Sequence, residues 1–368
     1  MLFRMESPQN TLRITPHIHS LLKLKEIWAI LLILFSVSWL SCRQENQKYY
    51  TIEGQTMGTY YAITCKTSDP KPLKISIDSF LLTFNQSLST YIPDSRVSSF
   101  NQATDSIMVP LHDDSFLLSV IEKSKKIHEL TQGAFDPTVM PLVNFYGFGY
   151  DGRHIIDSMQ RQVLDSLMDG IGMNKVTFYI KEDQLVLKKQ NPLVELDFSS
   201  IAKGLAVDEV GNLLKRNNIF HFKVDIGGEI VVSGHNPKGK DWVIGINTPD
   251  PDTPLSDIIY PVILRDKAIA TSGNYRNFYI SNNKKFTHII HPSTGEPAIS
   301  DVLSASIIAP DCVFADALAT ACIVLGLEES MRLVESLEDV EACFIVHGDD
   351  NNSFEIVLSK GVKSTRHE

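Results

Sequence analysis

The chain has 368 residues, 43% of them hydrophobic, which is enough to bury one large core or two smaller ones and too apolar for a disordered chain. A formal net charge of −10 with no dense Lys/Arg run argues against a protein that grips nucleic acid through its phosphates. The five cysteines, Cys42, Cys65, Cys312, Cys322 and Cys343, form no CxxC pair and no zinc-ligand spacing with histidine, so neither a zinc site nor a disulfide framework is expected.

Ile27 to Leu40 is an apolar run preceded by Lys23 and Lys25 and followed at once by Ser41-Cys42, a secretory signal pattern. The run is short for a spanning helix. A small residue followed by Cys resembles a bacterial lipobox, whose Cys is lipidated and becomes the new N-terminus, although Trp39 stands where that box usually has an aliphatic residue. An ordinary N-terminal membrane anchor is the alternative. Arg43 to Lys48 reads as a polar tether. The expected layout is a signal over 1–41, a tether over 42–48, a working domain over 49–360 and a tail over 361–368. Either N-terminal reading places the domain on the periplasmic side of a membrane, the inner membrane first, with a lipid anchor at Cys42 in the first case.

Tyr49 to Thr64 alternates as a hairpin around Met57-Gly58-Thr59 or as a strand with a close backbone approach at the glycine. Ile77, Phe80, Leu81, Phe84 and Leu88 mark one helix face, and the loop Ser89-Thr90-Tyr91-Ile92-Pro93-Asp94 follows. A second helix carries Phe116 to Leu130, opens at Asp113-Asp114 and stops at Gly133. Gly133 to Thr138 and Asn144 to Gly149 interleave glycines with aromatics and read as ordered loops, lying over something flat or lining a core. A helix through Val163, Leu164, Leu167 and Met168, a hairpin over Val176 to Leu187 and a short buried strand at Leu193 to Leu196 lead to a helix from about Ser199. Strands are then expected at His221 to Ile226, Ile230 to Val232, Trp242 to Ile246, Tyr260 to Leu264, Ala268 to Ala270, Tyr275 to Ile280 and Val302 to Ala309. A last apolar helix runs from Asp311 to Gly326.

The junction at Asp197-Phe198-Ser199-Ser200 brings a carboxylate, two hydroxyls and helix-start amides together, with Lys203 and Gly204 one turn on. Such a junction can meet a phosphate or a phosphate-bound metal, or can be an ordinary Asp or Ser N-cap beside a solvated lysine. In the last helix only Asp316 and Thr320 are strongly polar, and their spacing puts them on one face. A buried carboxylate needs compensation, which a hard cation such as Mg²⁺ supplies, as does the helix dipole or a hydrogen bond. His288 and His291, three apart, could hold a transition metal but have no third soft ligand nearby, and such histidines more often satisfy backbone carbonyls. Thr271 to Arg276 is a small-residue turn with a cation beside it, able to bind an anion or merely to turn.

From about Gln55 to Gly326 these pieces, in this order, resemble the ApbE family of FAD:protein FMN transferases. The matching residues are Met57-Gly58-Thr59, Ser89-Thr90-Tyr91 with Pro93-Asp94-Ser95, Phe100-Asn101, Gly133 to Asp136 with Pro141-Leu142-Val143 and Asp197 to Asp208. They continue with Val224 to Gly228, Ala270 to Gly273, His288 to Gly295 and Ala315 to Thr320. No dinucleotide fingerprint or Walker loop competes with them. The resemblance implies an α+β, T-fold-like catalytic unit of two intertwined subdomains. It further implies an enzyme that binds FAD and Mg²⁺ and moves FMN through a phosphoester onto a Thr or Ser of a target protein, releasing AMP. A respiratory electron-transport subunit is the expected acceptor. Carried over by motif, the flavin contacts are Met57, Tyr91, Ala134, Phe135, Asp136, Asp197, Lys203 and Ile289. The metal contacts are Ser200, Asp316, the backbone of Ala319, and Thr320, with Asp316 and Lys203 as the catalytic pair. An FAD pyrophosphatase and a non-catalytic flavin-binding lipoprotein are the alternatives.

Overall fold

The chain enters its sheet through a tight hairpin. In a computed structural model that describes residues 47–152, 155, 161–250, 253–254, 257–275, 277–348 and 353–365, β1 (Lys48–Thr56) pairs with β2 (Thr59–Thr67). Met57 and Gly58, at φ 50° and 70°, form the two-residue turn, a backbone that matches the twist of the flanking strands. The signal-like run, Cys42 and Arg276 lie outside the described residues.

Further along, β3 (Ser106–Pro110), β4 (Val176–Lys181) and β5 (Gln184–Lys189) make a small sheet in the order β3-β5-β4. The main sheet adds β6 (Phe222–Ile226), β7 (Glu229–Ser233), β10 (Ala268–Gly273), β13 (Val302–Ala309), β14 (Glu341–His347) and β15 (Phe354–Leu358). Its order is β1-β2-β6-β7-β10-β13-β14-β15, and neighbours run antiparallel throughout. Two hairpins stand apart from it: β8 (Trp242–Asn247) with β9 (Ile258–Leu264), and β11 (Phe278–Ser281) with β12 (Lys284–Thr287).

Strand alternation sends the main sheet's side chains into two cores. Ala268, Ala270, Ala305, Ile307 and Phe344 face a layer built on the helices Pro70–Leu88, Ala202–Arg216 and Cys312–Leu325. Ile230, Val232, Ile269, Ile308 and Ile345 face the β8–β9 hairpin with its Trp242 and Tyr260. Covered on both sides, β13 is buried at every one of its residues. A third cluster of Leu142, Tyr146, Leu164, Phe286 and Ile290 joins the helices Met140–Phe145 and Arg161–Met168 to the β11–β12 hairpin. The α+β expectation therefore holds, with helices collected on one face of an antiparallel sheet. Among the described residues no helix is long and apolar enough to cross a membrane.

Several expectations change. Leu193 to Leu196 is no strand: it leaves a turn in which the Val194 N–H donates to the Asn191 carbonyl at 3.2 Å, and among the described residues its only ladder contact is an isolated bridge, Val139↔Glu195. The Asn101 side chain replaces the missing partner, its amide donating to the Leu196 carbonyl at 2.9 Å while its oxygen accepts the Leu196 N–H at 2.8 Å. The following helix starts at Ala202, later than Ser199, because Phe198 to Ile201 is spent on a turn. Met140–Phe145, whose last two residues fall in the expected Asn144 to Gly149 loop, is a short helix with proline in its first turn, where the missing N–H costs nothing. Tyr275 sits in a bend before β11. The helix Arg96–Gln102, capped by Ser95, and the strands β14 and β15 complete the fold beyond the sequence reading. Lys363 and Ser364, assigned to the tail, are bonded to β9: the Lys363 carbonyl accepts from Ile263 N–H, and the Ser364 hydroxyl donates to the Pro261 carbonyl.

Candidate active site

A cleft of about 470 Å³ opens where the helix layer meets the third cluster. Its floor is the contact between two helices. Gly204, in the first turn of Ala202–Arg216, lies so close to Cys312–Leu325 that a Cβ there would sit 2.4 Å from the Cys312 carbonyl oxygen and 2.8 Å from Asp316 Cβ. That approach lets the Gly204 N–H donate to Asp316 Oδ2 at 2.9 Å. Asp208, one turn further on, accepts the Cys312 and Val313 N–H groups, both at 2.9 Å, and so joins the same helices at the start of the second one. Burial pushes the Asp208 carboxyl up to about 7, with those two amides opposing.

Neither Asp197 nor a serine caps the first of these helices. Its cap position is Ile201, with no side-chain bond, while the Asp197 carboxylate is turned back to accept the Ser199 N–H at 2.9 Å and the Ser199 hydroxyl. Ser199 and Ser200 of the turn before that helix and Lys203 of its first turn line the cleft together with Asp197, Asp316, Thr320 and Ser272. Ser272 and Thr320 share a hydrogen bond of 2.9 Å.

Lys203 stands between two buried carboxylates. Its ammonium bonds to Glu229 Oε1, and Glu229 and Asp316 are only 2% and 3% exposed, so two buried carboxyls share one ammonium. Burial would lower the Lys203 pKa, but the Glu229 and Asp316 charges outweigh it and hold the ammonium above the ordinary lysine range. Burial pushes both carboxyls upward, with Lys203 opposing. Glu229 Oε2 has no hydrogen-bond partner.

The opposite wall is aromatic. Tyr91, 67% exposed, stands at the mouth, and Phe148 stacks on Tyr279 at 5.5 Å between ring centroids. Burial raises the Tyr91 hydroxyl pKa, and the Asp197 charge adds to it. Ala134, Phe135 and Asp136 supply another side. The Asp136 carboxylate is already engaged, accepting the Thr138 N–H and hydroxyl at 2.8 and 2.6 Å and the Met173 N–H at 3.2 Å. Asp136 thus braces the loop that presents Ala134 and Phe135. His288 lines the cleft with Nδ1 3.2 Å from the Asn277 carbonyl, which can only accept, so Nδ1 carries the proton and Nε2 the lone pair. Burial depresses its pKa and keeps the ring neutral. His291 bonds locally to Ser293, so the two histidines do not form a metal pair.

Of the expected contacts, Tyr91, Ala134, Phe135, Asp136, Asp197, Ser200, Lys203, Ile289, Asp316 and Thr320 all line this one cleft. Met57 does not: it sits in the β1–β2 turn, packed against the main core. Ala319 is fully buried and also stays off the cleft surface. Glu229, Ser272 and the basic nitrogen of His288 were missed as site groups. A polar residue directly after Gly227-Gly228, on the helix-facing side of a strand, was the available signal for Glu229.

The donors around Asp316 suit a hard cation. They are all oxygen, Asp316 Oδ2 is anchored by Gly204, and the two buried carboxyls have a single ammonium between them to offset their charge. Among the described residues no group of three His, Cys, Asp or Glu side chains is placed to hold one metal ion. One carboxylate with hydroxyls, water and a phosphate is an ordinary Mg²⁺ shell.

The profile of the ApbE family matches residues 57–344. An FAD:protein FMN transferase of Vibrio cholerae is 35% identical over 341 residues, covering 90% of this chain and 99% of the relative. The Escherichia coli K12 protein of the same name is 31% identical over 316 residues, covering 83% and 88%. Among solved structures, the flavin transferase ApbE from Vibrio cholerae superposes with a TM-score of 0.74 at 34% identity, covering 85% of this chain and 98% of that one. The apo flavinyl transferase ApbE of Pseudomonas stutzeri gives a TM-score of 0.74 at 28% identity, covering 85% and 95%.

Proposed function

From the premise that this chain belongs to the ApbE family, we propose that it transfers FMN from FAD to a Thr or Ser hydroxyl of a target protein, with Mg²⁺, and releases AMP. The observation that carries the reading is the convergence in one cleft of an aromatic wall, a lysine and the Asp316–Thr320–Ser272 oxygen cluster. FAD needs each of these: a stacking surface for its rings, positive charge for its pyrophosphate, and oxygen ligands for the cation that accompanies it.

In the reaction the target hydroxyl oxygen attacks the FMN-side phosphorus and the bond from that phosphorus to the bridging oxygen breaks. AMP leaves with the bridging oxygen, and FMN remains as a phosphodiester on the target. The lone pair on His288 Nε2 is the group placed to take the hydroxyl proton, since the ring is neutral and its tautomer is fixed by Asn277. Lys203 meets the negative charge that grows on the departing phosphate. Asp316, Thr320 and Ser200 would hold the Mg²⁺, which neutralises phosphate charge when bound. No Ser or Cys in the cleft is built as a nucleophile, so the attacking group comes from outside, and a bound hydroxyl outcompetes water through its effective concentration.

The test is mass analysis of an acceptor incubated with enzyme, FAD and Mg²⁺, beside AMP release without the acceptor. An adduct of FMN mass that vanishes when the acceptor residue becomes Ala supports transfer. Rapid FMN and AMP release with no adduct identifies a pyrophosphatase, and binding without turnover a flavin carrier. The reading includes an acceptor in respiratory electron transport and lipidation at Cys42, which places both proteins on the periplasmic side of the membrane.

A further inference from the structure

We propose that Glu229 is a positioning residue for Lys203: it holds the ammonium on the sheet side of the cleft and thereby keeps it from pairing with Asp316, whose carboxylate stays open to a cation. The proposal rests on the reading of Asp316 as the cation's carboxylate.

Glu229 owes its place to a tight turn. Gly227 and Gly228, at φ 65° and 104°, connect β6 to β7 so that Ile226 pairs with Glu229. The alternation of β7 then sends Ile230 and Val232 to the hairpin core, and Glu229 and Val231 toward the helices, where Lys203 waits. Lys203 could choose either carboxylate. The residue after it, Gly204, is the one whose N–H binds Asp316, and the Asp316 charge acts on the lysine directly. What decides the choice is the cost of the alternative. Asp316 keeps a backbone donor when Lys203 is elsewhere, whereas Glu229 Oε2 has no partner, so losing Lys203 would strand a buried charge. The lysine therefore stays with Glu229, and Asp316 is left with an unfilled valence toward the cleft.

The measurement is Mn²⁺ binding to the purified full chain in detergent, read from the free-Mn²⁺ EPR signal, beside FAD titration in EDTA. Glu229→Gln keeps the shape but releases Lys203 to Asp316. It should weaken Mn²⁺ by about 10-fold or more, the scale at which partners behind a metal ligand act. Adding Lys203→Met to Glu229→Gln should restore Mn²⁺ affinity, an effect that a merely structural role for Glu229 would not produce. Wild-type Mn²⁺ affinity in Glu229→Gln, or a double variant as weak as the single one, overturns the proposal. Should Glu229→Gln not fold, Lys203→Met alone decides: Mn²⁺ binding at least as tight as wild type is expected, and weaker binding overturns it. A wild-type protein that binds FAD but no Mn²⁺ refutes the cation reading itself, which separates the two failures.

Discussion

Replacing Gly204 by Ala tests the helix contact on which the whole cleft stands. The added methyl would lie 2.4 Å from the Cys312 carbonyl oxygen and 2.8 Å from Asp316 Cβ, where non-bonded contacts want about 3.5 Å, so the helices must part by about 1 Å. Overpacking of this kind costs about 1–3 kcal/mol. Alanine recovers about 1 kcal/mol over glycine inside a helix. The net loss of stability is then about 0–2 kcal/mol, a fall in Tm of a few degrees. Function should suffer more. The same shift separates the Gly204 N–H from Asp316 and moves Asp316 relative to Lys203, and a displacement of about 1 Å in a catalytic constellation costs about 100-fold in rate. Calorimetry beside AMP-release kinetics should show a folded protein with turnover reduced by about two orders of magnitude. Wild-type turnover would refute the claim that this contact sets the site.

Four further outcomes are expected. Asp316→Ala should abolish Mg²⁺-dependent AMP release while far-UV circular dichroism stays native, since Thr320 and Ser200 alone are weak ligands; a folded variant with normal turnover would remove Asp316 from the metal. Tyr91→Ala should weaken FAD by about 1–3 kcal/mol, the size of an aromatic stack, which fluorescence titration reads, and an unchanged affinity ends the stacking assignment. Asp208 is held near 7 against an unfolded value of 3.8, so between those values the native state keeps a proton that the unfolded chain gives up. Its contribution to stability therefore falls as pH rises through that window and is level above it, and urea titrations at pH 5 and pH 8 should show a decline larger by roughly 2–3 kcal/mol in wild type than in Asp208→Asn, whereas equal declines would contradict it. Cys42→Ser should move the protein from the membrane to the soluble fraction, and retention there would favour a spanning anchor.

What the sequence made legible follows from the range of the forces involved. The helix Cys312–Leu325 could be read because its signal is local: an apolar run between Asp311, which caps Phe314 N–H at 2.9 Å, and Gly326, interrupted only by Asp316 and Thr320. The hairpin at Met57-Gly58 was equally local, but what Met57 touches was not. Its motif placed it with the flavin, while the turn geometry packs it on the core. Leu193 to Leu196 misled for the opposite reason. Its apolar character is real, yet the partner that satisfies it is a side chain at Asn101, which no periodicity of the segment itself can announce.

Charge balance is the least local property of all. Read singly, Lys203 is a lysine that meets a phosphate or stays solvated and Glu229 a polar residue after a turn; Asp316 alone pointed to a missing partner. Only the sheet and the helix layer, closing on each other, put one ammonium between two carboxylates that are each at least nine-tenths buried. The imbalance matters because a low-dielectric pocket magnifies it: in water the three charges would be screened, and here the surplus demands a cation or a proton. The site therefore carries its preference for a charged ligand before any ligand arrives, and the side chains that create that preference come from a first-turn lysine, a strand-start glutamate and a mid-helix aspartate. Spacing along the chain finds such groups one at a time; their sum exists only in the fold.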